Sequence, residues 1–155
     1  MKRHLHREDG QGLVEYALIL VLVSIVVIVI LALLGNTING AFARVIAGLN
    51  GQEMTGTGTE YVITGMSASA SGSPPDCTVN VTGMQVTVFE DGELAGAGVS
   101  VSGSVSFSGG AGGSASGSTG SNGTATLNNV AGNGNCSGSA TLTVSGNSRT
   151  VSYSN

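Results

Sequence analysis

Gly10-Gln11-Gly12-Leu13-Val14-Glu15-Tyr16 runs straight into the tract Ala17–Leu34, and the character of that tract constrains every later segment. The tract has 18 residues, no charge and a single polar member, Ser24. As a helix rising 1.5 Å per residue it would cover about 27 Å, close to the hydrocarbon thickness of a bilayer. Ile, Leu and Val occupy every side of such a helix, the pattern of a segment buried all round, first in lipid and then in a protein core. Glu15 stands immediately before it. A carboxylate near hydrocarbon is costly, so this acid needs a partner or a route to the interface.

The preceding residues suggest the partner. Lys2, Arg3 and Arg7, with His4 and His6, form a short basic leader that Gly10 closes. Cleavage after Gly10 would give Gln11 a free α-amine, with Glu15 one helical turn further on. A basic leader, a glycine cleavage point, Glu-Tyr as the fifth and sixth residues after it, and an apolar helix with no Ala-x-Ala-like site following Leu34 together resemble the Flp-type (type IVb) pilins of tight-adherence systems. The resemblance covers residues 1–49. It implies processing between Gly10 and Gln11 by a membrane prepilin peptidase, and a precursor held in the cytoplasmic membrane. It also implies self-association, helped by pilus assembly machinery, into a thin extracellular helical filament. Glu15 would then neutralise the α-amine of Gln11, on its own or a neighbouring subunit, in a core of low dielectric. Tyr16 would pack between helices or guide the peptidase. Members of that family typically stop soon after the helix, whereas this chain continues to Asn155. A plain signal anchor holding a monomeric surface-binding module, and a minor pilin or pseudopilin, are the competing readings.

Composition narrows the function classes. The formal net charge is −4; residues 1–10, where Lys2, Arg3 and Arg7 outweigh Glu8 and Asp9 by one, leave −5 when removed. Arg44 and Arg149 are then the only side-chain cations, which suits neither nucleic acid nor anionic headgroups. Beyond residue 10 there is no His and no Lys, so the usual general base and Schiff-base nucleophile are missing and an enzyme is not expected. No cofactor and no metal are expected either. Glu90, Asp91 and Glu93 form the one acid cluster, but without an Asp-x-Asp-x-Asp-Gly spacing they read as a solvated turn rather than a calcium site.

The positive leader keeps the N-terminus cytoplasmic and places residues beyond Leu34 outside. In that oxidising compartment the even pair Cys77 and Cys136 reads as a disulfide, with two buried free thiols as the alternative.

The later residues fall into four segments. Gly35-Asn36-Thr37 is expected to loosen or kink the helix. Ile38, Phe42, Val45, Ile46 and Leu49 then recur at helical spacing, with Arg44 off that stripe where it could meet headgroups or an acid on a neighbour. Asn50-Gly51 ends the helix. Residues 50–76 read as a flexible Gly/Thr/Ser linker containing a possible first strand, Glu60–Thr64. From residue 77 the period falls to two: Val99, Val101, Val105 and Phe107 alternate with serines, as do Ala140, Leu142 and Val144 with polar neighbours. Asp91-Gly92 and Asn122-Gly123 are hairpin-turn dipeptides. Six or seven short strands over 77–155 predict a small all-β sandwich, so the fold class is α+β. Residues 109–123, with seven Gly and four Ser, read as an exposed mobile loop. The run Glu90–Val99 with the later Thr119-Gly-Ser-Asn-Gly-Thr-Ala125 is loosely similar to bacterial Ig-like modules, which implies an Ig-like sandwich. Asn80, Asn122 and Asn135 stand in glycosylation-type triplets that arise by chance in so Asn/Ser/Thr-rich a chain.

Overall fold

In a computed structural model of the chain, residues 11–155 are described; the expected leader and its terminal Gly10 lie outside them. Helix α1 (Gln11–Leu49) is followed by nine strands, eight of them from residue 76 onward, where six or seven are expected. These are β1 (Thr59–Ser73), β2 (Asp76–Glu90), β3 (Glu93–Leu94), β4 (Ser100–Phe107), β5 (Gly110–Ser118), β6 (Thr124–Thr126), β7 (Val130–Gly134), β8 (Ser137–Val144) and β9 (Asn147–Ser154). One apolar helix followed by antiparallel sheets is an α+β arrangement. The chain divides into a unit ending at Ile38 and a second running from Asn39 to Asn155.

In the first unit the large apolar side chains are exposed on every side of the helix, Leu18 by 66%, Val23 by 50%, Ile28 by 65% and Leu33 by 72%. The Ser24 hydroxyl donates to the Leu20 carbonyl at 2.7 Å, so the tract's single polar side chain is satisfied within the helix. The expected break at Gly35-Asn36-Thr37 does not occur, for α1 stays helical through it. One glycine without a proline costs a helix only about 1 kcal/mol, which its neighbours outweigh. The helix closes after Leu49 with Gly51 left-handed (φ 64°), the Gln52 N–H on the Ala47 carbonyl at 2.9 Å and the Gly51 N–H on that of Gly48. This is a Schellman cap.

The second unit is built on β2. Its length lets it pair with β1 along one edge and with β7, β6 and β3 in turn along the other. The second sheet has the order β5-β4-β8-β9, antiparallel throughout. Both sheets feed one apolar core, with Val79, Val81, Met84 and Val86 from the first and Val101, Phe107, Leu142 and Val144 from the second. β1 takes up most of the stretch that reads as a linker. The sequence signal was weak there because its inward residues are small: Ala68 and Ala70 pack against the core, and Ser67, Ser69 and Ser71 face out.

The Gly/Ser run 109–123 is mostly strand β5 and not a mobile loop, with Ala115 fully buried. Its glycines serve close packing rather than flexibility. A β-carbon on Gly112 would fall on the Val105 carbonyl, one on Gly110 on that of Asn133, and one on Gly113 would lie 2.8 Å from Val130 Cγ1. Backbone clashes cannot be relieved by a rotamer change. Gly112→Ala should therefore cost about 2–3 kcal/mol, read as a lower urea midpoint in micelles. Gly96→Ala, where a β-carbon meets nothing within 4 Å, should stay within about 0.5 kcal/mol.

Candidate assembly surface and the lock on the helix end

The residues the sequence singles out for assembly lie on α1. Gln11 opens the helix, and Glu15 and Tyr16 are exposed on its second turn. The helix is long and apolar enough to cross a membrane, with a mean hydropathy of 3.6 over its most apolar window.

The last turns of α1, within the second unit, behave differently. Gly40, Ala43 and Ala47, spaced three and four apart, bury one helix face against Val62 and Phe89, with Met54 and Leu94 alongside. A β-carbon on Gly40 would stand 3.4 Å from Leu94 Cγ, so the approach is close. The expected amphipathic reading is thereby inverted: the small residues dock, while Phe42, Val45 and Leu49 on the opposite face remain exposed. Small side chains win because they let helix and sheet backbones approach and gain dispersion contact over the whole interface. Arg44 is also placed otherwise than expected. Its guanidinium lies 5.3 Å from the Phe89 ring centroid and donates to the Gly92 carbonyl, so it stays within its own chain. Asn39 Nδ2 adds a hydrogen bond to the Asn122 carbonyl at 2.8 Å.

The outer edge of β1 is satisfied by side chains instead of a strand. Gln52 accepts from the Ile63 N–H at 2.7 Å and donates to its carbonyl at 3.2 Å. Asn147 donates to the Tyr61 carbonyl at 2.8 Å and Arg149 to that of Thr64 at 3.0 Å. A bare edge would invite another strand, and these groups occupy it. Sequence reasoning missed all three, because residues far apart in the chain carry no local pattern.

Glu60 is a further residue to which the sequence assigned no role beyond opening a strand. Its Oε1 accepts from the Thr55 hydroxyl at 2.8 Å, the Gly56 N–H at 3.0 Å and the Thr55 N–H, holding the loop between α1 and β1. Burial works to raise its pKa, but these hydrogen bonds, with the charge of Arg44, outweigh it and hold the carboxyl below its ordinary value. A lowered folded pKa gives stability that is present above the unfolded value and lost as pH falls through the folded one. The Glu60→Gln variant should therefore show a shallower loss of stability on acidification than the parent, measured as urea midpoint against pH. In the acid cluster, Asp91 Oδ1 accepts from the Gly58 N–H at 2.9 Å, so that carboxylate ties the same loop to the β2–β3 turn.

Cys77 and Cys136 are joined as a disulfide with a Cα–Cα distance of 4.9 Å. Cys77 is the second residue of β2, and Cys136 lies between β7 of one sheet and β8 of the other, so the bond ties the two sheets together. The chain matches no family model, no curated protein and no solved structure.

Proposed function

We propose that this chain is a structural subunit of a Flp-type (type IVb) extracellular pilus, cut after Gly10 and polymerised through α1. The second unit would be a small Ig-like sandwich displayed on the filament for adhesion or surface contact. The observation that carries the reading is the helix surface. Large apolar side chains stand exposed all round residues 13–34. Lipid covers such a surface in a precursor, and neighbouring helices replace lipid at little cost when subunits assemble. A filament would present the β unit in many copies, so weak contacts to a surface would gain through avidity.

The competing reading, a monomeric membrane-anchored surface module, is favoured by the same helix. The two differ in the N-terminus. Intact mass and N-terminal sequence of protein from a sheared extracellular fraction should show a chain starting at Gln11. A chain still starting at Met1 and confined to membranes would leave the anchored module standing alone.

A further inference from the structure

The carboxylate of Glu60 is only half used by the loop it holds. Its Oε1 takes the Thr55 and Gly56 donors, whereas Oε2 is buried and has no hydrogen-bond partner, the one side-chain atom so placed among the described residues. A shielded carboxylate oxygen without a donor is costly, more so than a neutral group. Glu60 lines a cleft of about 490 Å³, within the size range of small-ligand sites. Arg44 lines the same cleft and commits one N–H group to the Gly92 carbonyl, leaving the rest of its guanidinium fork for other acceptors, while Ala47 and Met54 supply an apolar wall. A second cleft, of about 510 Å³, shares Thr55 and Glu60 with the first and adds Asn50, Glu53, Tyr61 and Asn147. The amide nitrogens of Asn50 and Asn147 are committed to the Ile46 and Tyr61 carbonyls at 2.9 and 2.8 Å, so their oxygens remain as acceptors.

We propose that these two clefts bind a neutral oligosaccharide, with Glu60 Oε2 accepting from one hydroxyl of a sugar ring and Arg44 donating to the next. The proposal gives the surface-contact role of the β unit a ligand class, and in that respect rests on it. Charge selects the class. An anion would face the Glu60 carboxylate. A metal ion would face the Arg44 guanidinium with too few carboxylates to hold it, for no group of three His, Cys, Asp or Glu suited to a metal exists among the described residues. Adjacent sugar hydroxyls are at once donors and acceptors, so a single ring satisfies a carboxylate and a guanidinium in one cleft, and its C–H groups meet Ala47 and Met54. The acceptors of the second cleft continue the same chemistry for a following ring. Many copies on a filament would turn a weak site into firm attachment.

The test titrates the full-length chain, isotope-labelled and in amine oxide micelles that carry no sugar headgroup, with maltose, cellobiose, lactose, mannobiose and chitobiose while NMR follows the backbone amides. At least one disaccharide should shift the amides of Thr55, Gly56 and Gly92. Its Kd should rise about tenfold or more in Glu60→Gln, where the loop donors keep the amide oxygen and a donor takes the place of Oε2. Gly48→Gln is the second variant. A β-carbon there meets nothing within 4 Å, so the fold is kept while the side chain fills the first cleft, and the same loss is expected. No shift with any disaccharide, shifts whose midpoints both variants leave unchanged, or a response to calcium chloride alone would each overturn the proposal. Binding by a chain that makes no filament would keep the site and sink the filament reading, and filaments of a chain that binds no disaccharide would do the reverse.

Discussion

Loss of the Cys77–Cys136 bond is expected to lower the stability of the β unit by about 4 kcal/mol. The bond joins residues separated by 59 positions, and a cross-link over a loop of that length removes about that much chain entropy from the unfolded state. Two structural features keep the effect from being smaller. Cys77 is 1% exposed, so a serine there would also bury a hydroxyl in place of sulfur. Its strand position pairs with Gly134 of β7, just before the chain leaves for the second sheet through Cys136. Without the bond, that passage is held at Asn135, whose N–H donates to the Ser108 carbonyl at 2.9 Å, and at Asn155, whose N–H donates to the Cys136 carbonyl at 2.9 Å. For a unit of this size 4 kcal/mol corresponds to a fall in Tm of about 15 °C. Calorimetry of the full chain in micelles, oxidised against Cys77→Ala/Cys136→Ala, measures it. Alanine is preferred to serine because it separates loss of the cross-link from burial of a hydroxyl. Equal Tm values would mean that the two sheets stay together by packing alone.

Legibility in the sequence followed residue size. Where inward positions are Val, Leu or Phe, as in β4 and β8, the alternation announces the strand directly. Where they are Ala or Gly it fails. β1 beyond Gly65 and all of β5 carry the same two-residue period, but written in Ala, Ser and Gly, which resembles a linker. The reason is steric: at Gly110, Gly112 and Gly113 other backbone or Val130 comes too near for any side chain, so tight packing and flexibility produce the same composition. The helix end misled for a related reason. Hydrophobicity ranks Phe42, Val45 and Leu49 as the buried face, whereas the sheet accepts Gly40, Ala43 and Ala47 because only they allow close approach. The long apolar tract, the cysteine pair and the helix stop at Asn50-Gly51 were legible because each depends on local chemistry alone. Gln52, Asn147 and Arg149 on the β1 edge depend on the completed fold, and no spacing rule reaches them.

Glu15→Ala and Glu15→Gln should each cut the yield of sheared filaments by roughly a hundredfold or more, the largest effect expected of any single change in this chain. Glu15 sits on the second turn of α1, four residues after Gln11, with only apolar residues from Ala17 to Val23 after it. In the proposed filament it pairs with the α-amine of Gln11, and the surrounding helices keep water out. Removing one partner of a buried pair leaves the other charge uncompensated, which costs about 3–5 kcal/mol. At 1.4 kcal/mol per tenfold, that is a factor of roughly 10² to 10³ at each subunit addition. The glutamine variant is the sharper of the two. It keeps the shape and hydrogen-bonding length of the side chain and removes only the charge, so a loss equal to that of alanine would assign the effect to the ion pair. A loss in alanine alone would assign it to packing. Membrane insertion should be unaffected in both, since the tract 17–34 is intact and a neutral side chain is cheaper to insert than a carboxylate. Precursor in the membrane fraction is therefore the internal control, and full filament yield from both variants would rule out the pairing as the force that sets subunit register.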